Sequence, residues 1–272
     1  MPVKKSIQSV IRSAHLTLAS GLFPDRASII MHELLPRQHS AFADSVALVR
    51  ECGYQTHLPQ TYLEKSPVGS KAATDDRRLL VTFDDNFAHW HSALPLLDDI
   101  GLKAIFFVTT GPTLTNASAY DVSAFYGRID HREDPVPLTR SQLLDIRAAG
   151  HEIGCHTEWH RSLAGLIREE WNAEIRQSKE RLEDLFGEEI SDFSFPFGVR
   201  RHFNQSLTDY CTGVGFKRIY CGQPGRLFDG TSDLMNIPRT RWNLDAPPEQ
   251  NVSDLKVDGR LFETVTGRSP VG

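Results

Sequence analysis

Apolar residues in this chain alternate between a helical and a strand-like spacing. Phe42, Val46 and Val49 fall on one helix face before Gly53, and a short run at 54–58 follows. The segment 87–100 closes at Gly101 ahead of the apolar run 103–108. Thr139 and Gln142 form a capping box that predicts a helix ending at Gly150, before 151–155. Trp171, Ile175, Leu182 and Leu185 mark the longest helix, which ends at Gly187 ahead of 190–195. A last unit runs through 210–215 and then 216–221. Glycine suits the left-handed position just past a helix end, which explains its place in each unit.

Strands alternating with helices imply a mostly parallel sheet with helices outside. With a first strand at 27–31 and six or seven strands in all, a closed or nearly closed α/β barrel fits best; the alternative is a doubly wound open sheet. In either fold, function gathers at the carboxyl ends of the strands. Val3, Ile7, Val10, Ala14 and Leu18 place an additional amphipathic helix within a 1–26 extension. Residues 112–138 form a strand-poor insertion, read as a loop flanking the site. After Trp242 the chain turns polar, so 243–272 is expected to be a peripheral tail beyond a 27–242 domain.

Composition narrows the class. The chain has 272 residues, 40% of them hydrophobic, and a net charge of −5 with no Lys/Arg stripe, which argues against nucleic-acid binding. No segment is long and apolar enough for a membrane span. The N-terminal run is interrupted by Arg12 and His15 and lacks a small-residue cleavage site, so a cytoplasmic protein is expected. Cys52, Cys155, Cys211 and Cys221 lack CxxC spacing and read as reduced, partly buried thiols.

The chemistry-bearing residues sit where predicted strands end. Thr82-Phe83-Asp84-Asp85 closes one apolar run, and His156-Thr157-Glu158-Trp159-His160 follows another. One carboxylate and two imidazoles make a minimal site for a divalent transition metal with open positions, and the second carboxylate stays available to take a proton. Taken singly, the aspartates also read as an N-cap, with Asp85 or Asn86 capping a helix near Phe87, and the histidine pair as surface decoration. His32 ends the first predicted strand and either lines the site or caps the strand. His89, His91, His131 and His151 read as surface, loop or structural residues.

These segments, with Phe193-Ser194-Phe195-Pro196-Phe197-Gly198, resemble the three leading motifs of the polysaccharide deacetylase family, the NodB-homology or carbohydrate esterase 4 group. The likeness covers roughly residues 27–242. It implies a distorted (β/α)7 barrel that removes N-acetyl groups from amino sugars with a bound divalent metal, usually Zn2+, with Co2+, Ni2+ or Mn2+ as alternatives. By position, Asp84 takes the place of the catalytic base, and Asp85, His156 and His160 those of the metal ligands. The Pro196-aromatic core would form a groove wall and the Phe197 N–H an oxyanion donor.

Two departures stand out. No histidine follows His202, so the family's late acid is missing, and Arg239 stands near its place; the third-motif arginine is absent too. Arginine does not donate a proton at neutral pH, but it could steer an anionic substrate or hold Asp84. His32, or Asp84 returning its proton, would then serve as the acid. We take His32, Phe195, Pro196, Phe197 and Arg239 as the substrate-facing set. The expected partner is an N-acetylated sugar or glycan precursor. A small, even cyclic, non-sugar amide is the second reading, and a carbohydrate-binding protein that keeps the metal site without turnover is the third.

Overall fold

Strand β3 (Arg77–Asp85) organises the molecule, because its apolar run Leu79–Phe83 is too long and too continuous to face water on either side. In the computed structural model, which describes residues 23–64, 77–131, 136–225 and 234–257, β3 pairs along one side with β1 (Arg26–Met31). Its first half meets β2 (Tyr54–His57) on the other side, and its last half meets β4 (Ile105–Val108). The parallel order continues through β5 (Glu152–Cys155), β6 (Asp192–Ser194) and β7 (Arg218–Tyr220), while β8 (Thr240–Arg241) flanks β1. A parallel bridge between Tyr220 and Ile237 joins the two ends. The result is a ring of seven strands with β2 set outside it, matching the expected distorted barrel.

Side-chain alternation divides the core in two. Leu80, Ile105, Phe107, Tyr220 and Ile237 form one cluster, inside the ring, while Leu79, Val81, Phe83 and Phe106 pack with the helices. Gly154 belongs to the inner packing: a Cβ there would lie 2.4 Å from the Phe107 ring.

Helices α1 (His39–Glu51), α2 (Ala119–Arg128) and α3 (Arg140–Ala148) cover the first half. The expected box caps α3, with Thr139 Oγ1 accepting the Gln142 N–H and the Gln142 side chain accepting the Thr139 N–H. The longest helical run, 168–186, is interrupted by a π-helical segment (Asn172–Gln177) before α4 (Ser178–Phe186). Hydrophobic periodicity does not reveal such a widened turn. Helix α5 (Gln205–Val214) precedes β7.

Two expectations need correction. The 112–138 insertion carries α2, with buried Phe125 and Tyr126, so its part beside the site is helical rather than a loop. The polar segment after Trp242 is not peripheral up to Leu255. It forms α6 (Pro248–Asp254), packed against α1 with Val252 and Leu255 buried. Its polarity is satisfied internally: Asn251 Oδ1 accepts the Asn243 N–H and its Nδ2 donates to Asn243 O. The proposed N-terminal helix and residues 258–272 lie outside the described residues. His151 is structural, as expected, its buried Nδ1 accepting the Ala104 N–H at 3.1 Å.

Candidate active site

Asp84 and Asp85 reach the mouth of the ring by different means. Asp84 shares the inner face of β3 with Leu80 and Thr82 by simple alternation. Alternation alone would turn Asp85 toward the helices, but its φ of 92° breaks the strand there. Among the described residues five non-glycine positions have positive φ, and four of them (Asp85, Thr157, His160 and Phe197) belong to this site. Such conformations persist only where the surroundings enforce them.

The reading of Asp85 or Asn86 as a helix cap does not hold. The nearby helix begins at His89 with no side-chain cap. Asn86 instead donates to Thr109 O and Thr113 Oγ1 and accepts the Leu138 N–H, locking the turn after β3 to the one after β4.

Asp85, His156 and His160 converge. One ligand-type atom from each lies within 4.8 Å of the others, and all three residues are buried. Asp85 Oδ1 lies 3.5 Å from His156 Nε2 and 3.3 Å from His160 Nε2. It is a buried oxygen with no well-formed hydrogen bond among the described residues. His156 Nδ1 donates to Ser194 O at 2.7 Å, which leaves the Nε2 lone pair facing Asp85. An orphaned carboxylate oxygen and an imidazole oriented from behind are what a borderline-soft divalent cation requires, so the residues fit the group. Cys155 is not part of this set; its thiol is paired with Ser178 Oγ at 3.2 Å and burial pushes it up to about 12.

Asp84 is held apart. Arg239 Nη1 and Nη2 donate to its two oxygens at 2.6 and 2.8 Å, and Ser194 Oγ donates to Oδ2 at 2.7 Å. Arg239 also donates to Thr82 Oγ1, Ser194 Oγ and Cys221 O, and its guanidinium lies over the Phe107 and Tyr220 rings. It is fully buried, at odds with the substrate-facing place read from sequence; of its two sequence-derived roles, the holding of Asp84 is the one the geometry shows. Ser194 and Thr82 were not singled out from sequence, although both lie inside the quoted motifs.

The electrostatics follow from this arrangement. Burial pushes the Asp84 carboxyl up, but Arg239, His156 and His32 outweigh it, and the group lies below its ordinary range. Burial opposes ionisation of Asp85 as well, and His160, His156 and His32 reverse it. His156 is raised, burial being overcome by Asp84 and Asp85, whereas burial dominates at His160 and lowers it to about 4.

The rest of the expected set divides. Met31 pairs with Phe83, so His32 follows alongside Asp84 at the ends of neighbouring strands. Its pKa is lowered, chiefly by burial, with Asp85 and Asp84 pulling upward. Phe197 is 43% exposed and meets the rings of His160 and His202, each at 4.8 Å, and thus lines the mouth. Pro196 is buried beside it. Phe195 is buried and stacked on Phe203 at 4.4 Å, a core residue and not a groove wall. Trp242 likewise packs internally, against Phe42.

Known proteins resemble this chain in sequence and fold. The family model for polysaccharide deacetylase matches residues 71–218, more than half of the chain. "Putative polysaccharide deacetylase YxkH" of Bacillus subtilis (strain 168) is 23% identical over 214 residues, 74% of this chain and 66% of that protein. The chain thus spans just under two thirds of that relative. Streptococcus pyogenes deacetylase PplD, solved in complex with acetate, superposes with a TM-score of 0.63 at 18% identity over 83% of this chain and 97% of its own. IcaB from Ammonifex degensii does so with a TM-score of 0.63 at 16% identity, covering 86% and 98%. By the match of its sequence to the family model, with strands and motif residues arranged accordingly, the chain belongs to the polysaccharide deacetylase family.

Proposed function

We propose that the chain is a metal-dependent hydrolase that removes an N-acetyl or similar small acyl group from an amino sugar in a glycan or glycan precursor. The observation that carries this is the separation of two adjacent carboxylates: Asp85 joins His156 and His160, while Asp84 is clamped by Arg239 and Ser194. A divalent cation held by Asp85, His156 and His160, with Zn2+ the first choice, would supply Lewis acidity toward the acyl oxygen and acidify water. Asp84, kept ionised by Arg239, accepts the proton of the attacking water. Its clamp also prevents it from swinging to join the cation set. Asp84 passes that proton on to the departing nitrogen through His32, which follows alongside it. Being neutral with its lowered pKa, His32 can take the proton up and release it in place of the acid that the C-terminal part of the sequence lacks. Phe197 offers an apolar ring face beside the reacting centre, suited to a sugar ring.

The test is acetate release from N-acetylglucosamine oligomers, measured beside a panel of linear and cyclic non-sugar amides. Release from the sugars alone is expected, stopped by a chelator and restored by one equivalent of Zn2+ or Co2+. His32→Gln lowers kcat by about 10²- to 10⁴-fold, the usual contribution of a general acid, with KM nearly unchanged. Turnover of the non-sugar amides alone would transfer the site to the second reading. Bound metal without hydrolysis of any amide would leave only binding.

A further inference from the structure

The segment that carries both imidazoles has no regular structure of its own, yet nearly every backbone group in it is bonded to another part of the chain. His156 N–H donates to Val108 O, and His156 O accepts from Thr109 Oγ1. Thr157 O and Glu158 O accept the Thr110 and Gly111 N–H groups at 3.0 and 2.7 Å. A Cβ on Gly111 would lie 2.4 Å from Glu158 O, so that approach requires glycine. Arg128 Nη1, from α2, donates to Trp159 O at 2.7 Å, and His160 N–H is tied back to Thr157 Oγ1 at 3.0 Å.

The two N–H groups just before His160 both end on one residue. Glu158 N–H donates to Glu174 O at 2.9 Å, and Trp159 N–H donates to Glu174 Oε2, also at 2.9 Å. Glu174 is 2% exposed and lies in the π-helical segment. There the Ser178 N–H bonds Ile175 O, three residues back, in place of the Glu174 O that an α-helix would use. The Glu174 carbonyl, not used by the Ser178 N–H, turns to the imidazole loop, while its side chain reaches the next N–H along. π-Bulges recur at functional sites for this kind of reason.

We propose that Glu174 is a positioning residue that fixes where His160 stands in the cation set. This rests on the metal reading above. Thr157 and His160 both hold positive φ, at 67° and 54°, uncommon for any residue but glycine and most unfavourable for the β-branched threonine. The loop keeps that shape because outside bonds enforce it. Removing the Glu174 carboxylate orphans the half-buried Trp159 N–H adjacent to His160, and the loop relaxes by rotating the backbone that aims the ring. The neighbouring ligand His156 is anchored separately through Val108 and Ser194, so the loss falls on one ligand of the three.

The experiment compares Glu174→Ala and Glu174→Gln with the parent chain, reading Zn2+ and Co2+ affinity against a chromophoric chelator and the visible Co2+ absorption band. Glu174→Ala is expected to weaken metal binding about 10- to 100-fold, the usual effect of losing an outer-shell partner, and to shift the Co2+ band. Glu174→Gln keeps an oxygen acceptor and is expected to bind close to the parent with an unchanged band. If the alanine variant does not fold, Glu174→Asp, whose acceptor is withdrawn by one methylene, is expected to weaken binding in the same direction. Unchanged affinity and spectrum in the alanine or aspartate variant, or equal loss in the glutamine variant, would overturn the assignment of Glu174. A parent chain that binds neither ion would instead bring down the metal reading itself.

Discussion

Asp84→Asn is expected to reduce acetate release by about 10²- to 10⁴-fold, the contribution of a positioned general base, while metal content per chain stays at the parent level. Asparagine fits the volume but cannot accept a proton from water. Metal content should persist because Asp84 lies outside the set formed by Asp85, His156 and His160. The substitution also has a structural consequence. Arg239 Nη2 and Ser194 Oγ both donate toward Oδ2, so a carboxamide nitrogen placed there meets two donors. Melting of the variant should therefore fall along with its activity, and kcat must be measured well below the new midpoint. Full activity in Asp84→Asn would exclude Asp84 as the base.

Arg239→Met is expected to have the largest effect on stability. The guanidinium is fully buried and makes two short bonds to a carboxylate that is itself 2% exposed. Removing one partner of a buried ion pair leaves the other charge uncompensated, at a cost of about 3–5 kcal/mol. For a domain of this size that lowers the melting temperature by on the order of 10 °C. Arg239→Lys should recover little, because one ammonium cannot reproduce the bidentate fork or its stacking on Phe107 and Tyr220. The double variant Asp84→Leu/Arg239→Met separates the two roles. Replacing both charges with apolar groups should restore most of the stability while leaving hydrolysis at the level of Asp84→Asn. If the double variant melts as low as Arg239→Met, the pair is not what holds this part of the core, and the orphaned-charge explanation fails.

The parts of this molecule readable from sequence were those governed by local rules. The strands were legible because short apolar runs such as Leu79–Phe83 are followed by segments of helical spacing. The cation set was legible because Asp85 closes β3 and His156 and His160 lie within five residues of the end of β5, and parallel strands place their carboxyl ends together. The partner of Asp84 could only be suggested: Arg239 is 155 residues away, and nothing local distinguishes a guanidinium that enters the ring from one that faces substrate. Phe195 and Phe197 illustrate the same limit. They stand two apart in one motif, yet the positive φ at Phe197 breaks the alternation, so one ring stacks in the core and the other borders the site. The role of Glu174 depends on an irregular turn in the helical run, which leaves no mark on hydrophobic periodicity. The tail reads as peripheral for a related reason. Asn251 looks like a surface residue until its amide is seen to satisfy both backbone groups of Asn243.

All of the proposed chemistry depends on Asp85, His156 and His160 sharing one cation. Elemental analysis of the chain, loaded with Zn2+ and dialysed, measures this directly beside Asp85→Ala, His156→Ala, His160→Ala and Asp84→Asn. One ion per parent chain is expected, retained in Asp84→Asn and lost in each of the three alanine variants. A parent chain free of stoichiometric metal, or an ion that stays bound when any of the three ligands is removed, would contradict it.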